Sequence, residues 1–246
     1  MLRLWSVVVP VKDAAVGKTR LGGVLDERAR AALVRAMALD TISAATACAV
    51  VAQVVVVTAD EVVARQAPTI GRTPGRVARR APGSASVAAV QVVDEPSRAG
   101  APSGLDAAAA AGVAVARSSA LAAPVGVLLG DLPALRPDDL MAALDAAWPH
   151  ARAMVADADG TGTTVLTVGG GVPFASRFGT GSAAAHAALG YVRLDVAVES
   201  TLRHDVDVPA DLDALRALRP GPRTARVLDR LFAGGDGPVR AAGRRA

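Results

Sequence analysis

The N-terminal part of the chain alternates between continuous apolar runs and a long stretch of helical periodicity. Residues 4–11 (LWSVVVPV) and 50–60 (VVAQVVVVTAD) are rich in β-branched side chains, which is typical of strands buried on both faces. Between them, residues 26–48 repeat apolar side chains at helical spacing, with Asp26 and Glu27 in the first turn, where the helix dipole favours anions. This order of strand, helix and strand predicts the start of a doubly wound sheet.

The same alternation continues through most of the chain. Further strands are predicted at residues 87–95 and 124–135, helices at 104–117 and 136–148, two short strands around a Gly/Thr turn at 151–170, and helices after a Gly-rich turn at 174–190 and after an acidic turn at 204–218. We therefore expect one α/β domain over residues 1–219, with a mostly parallel sheet, and a loose Arg/Gly/Pro-rich tail at 220–246.

Composition and charge exclude several classes of function. The net charge is +4, but the basic residues cluster in residues 71–80 and 216–246 without interleaved aromatic side chains, so we predict no nucleic-acid partner. The single cysteine, Cys48, excludes an internal disulfide and a multi-cysteine metal site. The apolar run at the N-terminus is too short to span a membrane and does not read as a signal peptide, which predicts a cytoplasmic protein with no membrane partner.

Both lysines of the chain, Lys12 and Lys18, fall in the loop after the first predicted strand. The text KDAAVGKTR resembles a Walker A loop, but Lys12 stands where that motif requires its first glycine, so a P-loop NTPase is not predicted. Open α/β sheets bind ligands at the carboxyl ends of their strands, and Lys12, Lys18 and Arg20 are therefore candidate ligands for an anion. The alternative is a solvated basic loop. The scarcity of lysine favours a specific role, because a compact ammonium and a flat guanidinium are not interchangeable.

Two acidic turns supply candidate metal ligands. Asp131 ends the apolar strand in LLGDLPAL, where burying a carboxylate is costly unless a cation or donors accompany it. Asp205 and Asp207 form a second pair in HDVDVPADL, whereas Asp138 and Asp211 are better explained as helix caps. Because Mg²⁺ is usually bound by one or two carboxylates together with substrate phosphates, we predict that Asp131 and Asp207 bind Mg²⁺.

Two Gly/Thr-rich turns predict an anion site. In FGTGSAAAH, Gly179, Gly181 and Ser182 precede a helix, so that free backbone amides, the helix dipole and a hydroxyl meet. In DGTGTTVL, Thr163 and Thr164 follow a glycine turn and could add donors, although ordinary hairpin turns have the same composition.

The chain offers no candidate for covalent catalysis. It lacks a GxSxG motif, a plausible Cys–His pair and an HExxH motif. His186 has no second histidine or cysteine at ligand spacing, which indicates a structural or substrate-facing residue rather than a metal ligand. The cations, acidic turns and anion site that remain suit phosphoryl or nucleotidyl transfer by positioning and charge neutralisation.

Taken in order, VVPVKDAAVGKTRL, LLGDLPAL, DGTGTTVL, FGTGSAAAH and HDVDVPADL resemble the phosphoenolpyruvate (or 2-phospho-L-lactate) guanylyltransferases of coenzyme F-420 biosynthesis. The similarity runs over residues 4–215, and the combination of motifs is specific although each one alone is weak. The resemblance implies a Rossmann-like three-layer α/β/α sandwich, the nucleotidyltransferase (GT-A-like) fold, with a mostly parallel central sheet.

The resemblance also implies an activity and a set of site residues. GTP and phosphoenolpyruvate would give enolpyruvoyl-2-diphospho-5'-guanosine and pyrophosphate, with Mg²⁺ as cofactor. By position, the implied roles are metal binding by Asp131 and Asp207, binding of phosphoenolpyruvate by Thr164, Gly179 and Ser182, and catalytic binding of the GTP phosphates by Lys12, Lys18 and Arg20.

One stretch departs from the family. The family usually has Gly-Leu-Asn where this chain has Gly104, Leu105 and Asp106, and we expect Gly104 and Asp106 to contact the nucleotide with Lys12 and Lys18. An asparagine both donates and accepts, whereas an ionised aspartate only accepts. Asp106 can still accept from the N1–H and the amine of guanine, so GTP remains the expected substrate, with altered base choice or weaker nucleotide binding as the alternative.

Other functions stay open on the sequence alone. The acceptor could be 2-phospho-L-lactate, a sugar phosphate or molybdopterin, and a catalytically silent nucleotide-binding protein is the non-enzyme alternative. The expected partners are the small-molecule substrates, with a homodimer or the next enzyme of the pathway as further candidates.

Overall fold

The structure, a computed structural model, describes residues 3–15, 18–71, 88–96, 104–119 and 123–232. Within these residues a seven-stranded sheet has the order β3-β2-β1-β4-β6-β5-β7. Its strands are β1 (Trp5–Val11), β2 (Val51–Thr58), β3 (Ala89–Asp94), β4 (Val125–Leu128), β5 (Arg152–Ala156), β6 (Thr163–Val168) and β7 (Val192–Arg193). Strand β6 is antiparallel to both of its neighbours, and the other described strand pairs are parallel, so the mostly parallel sheet is confirmed.

Helices cover both faces of this sheet. They are α1 (Glu27–Ala47), α2 (Glu61–Gln66), α3 (Leu105–Ser119), α4 (Pro137–Ala147), α5 (Ser182–Ala188), α6 (Pro209–Leu218) and α7 (Pro222–Phe232). Side chains of α1 and α4 share one buried cluster with the sheet, and those of α3 share another on the opposite face, which gives the expected three-layer α/β/α sandwich. Among the described helices, none is both long and apolar enough to cross a bilayer.

Strands β1 and β2 and helices α1, α3 and α4 form where the sequence predicts them, for identifiable local reasons, whereas α2, β7 and α7 were not predicted. Helix α1 begins where the Asp26 carboxylate accepts from the Ala29 amide at 2.7 Å, an N-cap that satisfies an otherwise unpaired donor. Helix α3 packs closely on the sheet because Gly112 has no side chain. A Cβ at that position would lie 2.2 Å from Cγ1 of Val8.

The predicted tail is wrong for residues 222–232, because α7 packs against the body of the domain. The buried carboxylate of Asp40 on α1 accepts from the Thr224 amide at 2.7 Å and the Arg223 amide at 3.3 Å, capping α7. Leu228 joins a buried cluster with residues of α1 and α6. The predicted boundary missed this contact because its partners are far apart in sequence. The remainder of the predicted tail, residues 233–246, lies outside the described residues.

Candidate functional site

A cleft of about 490 Å³ opens at one edge of the sheet. It lies where β1 and β4 end, the edge at which open α/β sheets bind ligands. Because β6 runs antiparallel, its first residue, Thr163, reaches the same edge. The cleft brings together these residues from the sequence prediction: Lys12, Lys18, Arg20, Asp131, Gly179, Ser182 and Asp207.

The ammonium group of Lys18 lies between the two acidic turns. Its Nζ atom donates to Oδ2 of Asp131 and to Oδ1 of Asp207. Burial lowers the pKa of Lys18, but the charges of Asp131 and Asp207 outweigh burial and hold the pKa above its ordinary value. The backbone at Lys18 has a φ of 51°, in the left-handed region that residues other than glycine rarely adopt. Lys18 is therefore charged, largely enclosed and held in a constrained conformation.

The buried carboxylate of Asp60 positions the start of the lysine loop. It caps α2 by accepting from the Val63 amide at 3.0 Å, and it also accepts from the Ala14 amide at 3.3 Å and from Nε of Arg35 at 2.8 Å. Burial raises the pKa of Asp60, but the hydrogen bonds from Val63 and Arg35 outweigh it and keep the pKa below its ordinary value. The ionised carboxylate thus ties the loop after β1 to α1 and α2.

The two acidic turns are joined through the backbone. The Val206 amide donates to the Asp131 carbonyl at 3.2 Å, which places the turn before α6 beside the turn after β4. Asp211, predicted as a helix cap, accepts from the amides of Asp207 at 2.6 Å and Val208 at 2.8 Å. These bonds fix the backbone on which the carboxylates are presented to the cleft.

Three carboxylates, rather than the predicted two, can meet at one point. Oxygen atoms of Asp131, Asp205 and Asp207 lie within 4.8 Å of one another. Burial, followed by the charges of Asp131 and Asp207, raises the pKa of Asp205 to about 7. Oδ1 of Asp131 is buried and has no hydrogen-bond partner among the described residues. Hard oxygen donors with an unsatisfied buried oxygen fit Mg²⁺, and Asp205 is a third candidate ligand beside the predicted Asp131 and Asp207.

The β5–β6 hairpin forms the opposite wall of the cleft. Its loop is held by Asp157, whose carboxylate accepts from the amides of Thr161 at 3.0 Å and Gly162 at 2.7 Å. Nε and Nη2 of Arg203 donate to the Asp157 carbonyl at 3.2 and 3.0 Å, linking the hairpin to the segment that leads to the acidic turn. Neither Asp157 nor Arg203 is predicted from the sequence, although the DADGTG turn is a signal for the first.

The Gly-rich loop lies on the cleft as predicted. Gly179 and Gly181 have φ values of 125° and 71°, which L side chains rarely adopt, and Ser182 begins α5. Thr164 differs from the expectation, because its buried hydroxyl donates to the Val155 carbonyl at 3.5 Å and Thr163 lines the cleft instead. The β5–β6 pairing shifts at this point, so that Thr164 has no residue opposite it on β5.

The first turn of α3 contacts the Gly-rich segment. Oδ1 of Asp106 accepts from the Ser176 hydroxyl at 2.6 Å and from the Phe178 amide at 3.0 Å. Gly104 has a φ of 91°, and Leu105, between the two predicted nucleotide-binding residues, lines the cleft. One oxygen of Asp106 therefore has a structural role that its position in the sequence did not indicate.

Comparison with known sequences identifies close relatives. A family model described as “Guanylyl transferase CofC like” matches residues 5–71. A phosphoenolpyruvate guanylyltransferase of Sanguibacter keddieii is 51% identical, over 95% of this chain and 87% of the relative. Enzymes of the same name from Thermomonospora curvata and Streptomyces coelicolor are 44% and 42% identical, over 92% and 94% of this chain and 90% and 99% of theirs.

Solved structures support the fold alone. A protein described as a nucleotide-diphospho-sugar transferase, from Desulfovibrio desulfuricans G20, superimposes with a TM-score of 0.59 at 15% identity. The match covers 93% of this chain and 95% of that one. The two proteins therefore share the same α/β/α architecture.

Proposed function

The chain belongs to the phosphoenolpyruvate guanylyltransferase family, and we propose that it transfers GMP from GTP to phosphoenolpyruvate. The products would be enolpyruvoyl-2-diphospho-5'-guanosine and pyrophosphate, in the biosynthesis of coenzyme F-420. The observation that carries the proposal is the position of Lys18 between Asp131 and Asp207 inside the cleft. That arrangement combines a cation for phosphate with carboxylates for a divalent metal.

The carboxylates of Asp131, Asp205 and Asp207 are the proposed ligands of Mg²⁺. Their close approach and the unpaired buried oxygen of Asp131 support this assignment. When bound, Mg²⁺ would neutralise the charge that develops on the triphosphate as pyrophosphate leaves.

The reaction requires no nucleophile from the protein. A phosphate oxygen of phosphoenolpyruvate attacks the α-phosphorus of GTP, and the bond from that phosphorus to the oxygen bridging to the β-phosphorus breaks. Lys12 and Arg20, which are exposed on the cleft, would bind the triphosphate, and Lys18 would supply a third positive charge. Fixed cations of this kind stabilise charge in the transition state without reorganising.

The acceptor would lie against the hairpin and the Gly-rich loop. Gly179 and Ser182 line the cleft there, which supports their proposed contact with the phosphorylated acid. Thr164, the third proposed residue, is buried one position behind the cleft, so its contribution would come through its position in β6 rather than through a free hydroxyl. Gly104 and Asp106 are proposed to border the nucleotide, since Leu105 between them lines the cleft.

Competition between acceptors tests the proposal and its finer assignment. The enzyme is incubated with GTP, Mg²⁺ and an equimolar mixture of phosphoenolpyruvate and 2-phospho-L-lactate, and the guanylylated products are separated by mass. The proposal expects the phosphoenolpyruvate product to dominate. A dominant 2-phospho-L-lactate product would overturn the acceptor, and replacement of GTP by ATP or CTP without loss of rate would overturn the base.

The cellular setting is part of the same proposal. Both substrates are soluble phosphorylated metabolites, which supports a cytoplasmic location. A homodimer or a complex with the next enzyme of the pathway is the proposed assembly, and the mass of the protein in solution tests the former.

A further inference from the structure

His186 is buried behind the cleft and does not line it. The residue is 0% exposed, and its ring makes T-shaped contacts with the rings of Phe178 and Tyr191, whose centroids lie 5.0 and 5.6 Å away. Its two ring nitrogens nevertheless contact the two walls that would hold the acceptor. Nδ1 lies 2.9 Å from Oγ1 of Thr163 on β6, and Nε2 lies 2.9 Å from the Arg177 amide before the Gly-rich loop.

These contacts fix the tautomer of His186. A backbone N–H can only donate, so Nε2 must accept from Arg177 and carries no hydrogen. The neutral ring then bears its hydrogen on Nδ1, which donates to the Thr163 hydroxyl oxygen. The pKa of His186 is lowered by burial, partly opposed by the charge of Asp106, which agrees with a neutral ring.

The direction of this bond determines what Thr163 can offer to a ligand. Oγ1 of Thr163 accepts from His186, so the hydroxyl hydrogen of Thr163 remains available for a second hydrogen bond. Within the ranges that the structure describes, this hydroxyl has no other hydrogen-bond partner. Thr163 is only 3% exposed and yet lines the cleft. A buried hydroxyl without an acceptor is costly, and an anionic ligand in the cleft would relieve that cost.

We propose that Thr163 donates a hydrogen bond to the anionic acceptor and that His186 is the positioning residue that orients this donor. The inference deepens the proposed function and rests on it. The second bond of His186, to Arg177, holds the segment that enters the Gly-rich loop, and the Ala183 amide of α5 donates to the Thr161 carbonyl of the hairpin at 3.0 Å. His186 therefore sets the spacing between the two walls as well as the direction of the hydroxyl.

Substitutions at Thr163 test the donor directly. Thr163→Val removes the hydroxyl and keeps the shape, so the KM for phosphoenolpyruvate is expected to rise roughly tenfold or more with little change in kcat, as for a lost charge-assisted hydrogen bond. Thr163→Ser should restore the KM. The control is Thr167→Val on the same strand, where an equally buried hydroxyl donates to the Ala153 carbonyl at 3.2 Å, away from the cleft. It should lower the melting temperature only.

Two substitutions at His186 separate positioning from packing. In His186→Asn, the side-chain amide reaches about as far as Nδ1 and keeps a donor for Thr163. In His186→Gln, the amide reaches about as far as Nε2 and keeps only an acceptor for Arg177. His186→Gln should therefore raise the KM for phosphoenolpyruvate as Thr163→Val does, and His186→Asn should raise it less. If Thr163→Val and both His186 variants keep the KM and the turnover of the wild type, the inference is overturned. Absence of turnover in the wild type would instead reject the proposed function.

Discussion

The ammonium group of Lys18 donates to the carboxylate of Asp131, 113 residues further along the chain. The contact joins the loop after β1 to the turn after β4, and Asp207 completes it from the turn before α6. A lysine cation thus lies among the carboxylates that are proposed to bind Mg²⁺. Lys18 neutralises part of the charge of Asp131 and Asp207, and a bound metal would add its charge to the same acidic cluster.

Removing this lysine cation should make the protein depend on a divalent metal for stability. Lys18→Met leaves Asp131, Asp205 and Asp207 without their counter-charge. In the absence of metal, the free energy of unfolding should therefore fall by about 2 kcal/mol. This loss is smaller than for a fully buried ion pair because Asp207 is half exposed. Added Mg²⁺ should raise the melting temperature of this variant more than that of the wild type. The exposed Arg28→Met is the control, and an identical response to Mg²⁺ in all three proteins would contradict the account.

The two basic side chains are not equivalent at this position. Lys18→Arg keeps the charge but replaces a compact ammonium by a planar guanidinium between two carboxylates. The kcat should therefore fall by at least about tenfold. This decrease is smaller than the roughly 100-fold decrease that is typical when a donor is lost entirely. Thermal unfolding checks that the fold survives, and Arg28→Lys, on exposed α1 surface, should leave both quantities unchanged. Full activity of Lys18→Arg would mean that the site needs only a positive charge.

Asp40 should anchor α7 to the domain. Asp40→Ala leaves the amides of Arg223 and Thr224 without their acceptor, and the free energy of unfolding should fall by about 1–3 kcal/mol. Denaturant unfolding measures this loss, while activity at low temperature should persist because Asp40 does not line the cleft. The control Asp229→Ala removes an exposed acid of α7 itself. If both variants lose an equally small free energy of unfolding, the Asp40 cap contributes nothing to stability.

The neutral His186 ring predicts a pH dependence of stability. Its folded-state pKa lies below the ordinary 6.5, so the unfolded chain binds the proton more readily. This contribution to stability is complete above pH 6.5 and is lost as the pH falls from there through the folded pKa, at no more than about 1.4 kcal/mol per pH unit. Unfolding curves of the wild type and His186→Gln between about pH 7.5 and 5.5 measure it, and their difference should shrink at low pH. A constant difference would show that the ring is not neutral in the fold.

The strands and long helices were predictable because their signals are local. The apolar run of β2 and the capped periodicity of α1 each lie within one stretch of sequence. Asp205 was passed over in favour of Asp207, because only the packing of the turn against Asp131 shows that both carboxylates reach one point. The resemblance to the family implies Thr164 rather than Thr163, and the irregular pairing of β5 with β6, which brings Thr163 to the cleft, leaves no trace in the sequence. The cap on α7 joins residues 184 positions apart, which no local pattern reports.

The most direct test of the account is the fate of GTP in the presence of phosphoenolpyruvate and Mg²⁺. Pyrophosphate release is followed by enzyme-coupled assay and the nucleotide product is identified by mass, for the wild type, Asp131→Asn and the control Asp145→Asn on the exposed face of α4. We expect equal amounts of pyrophosphate and enolpyruvoyl-2-diphospho-5'-guanosine from the wild type and from the control. Asp131→Asn should give neither product although its fold is unchanged. No pyrophosphate from the wild type with any small phosphorylated acid, or full turnover by Asp131→Asn, would contradict it.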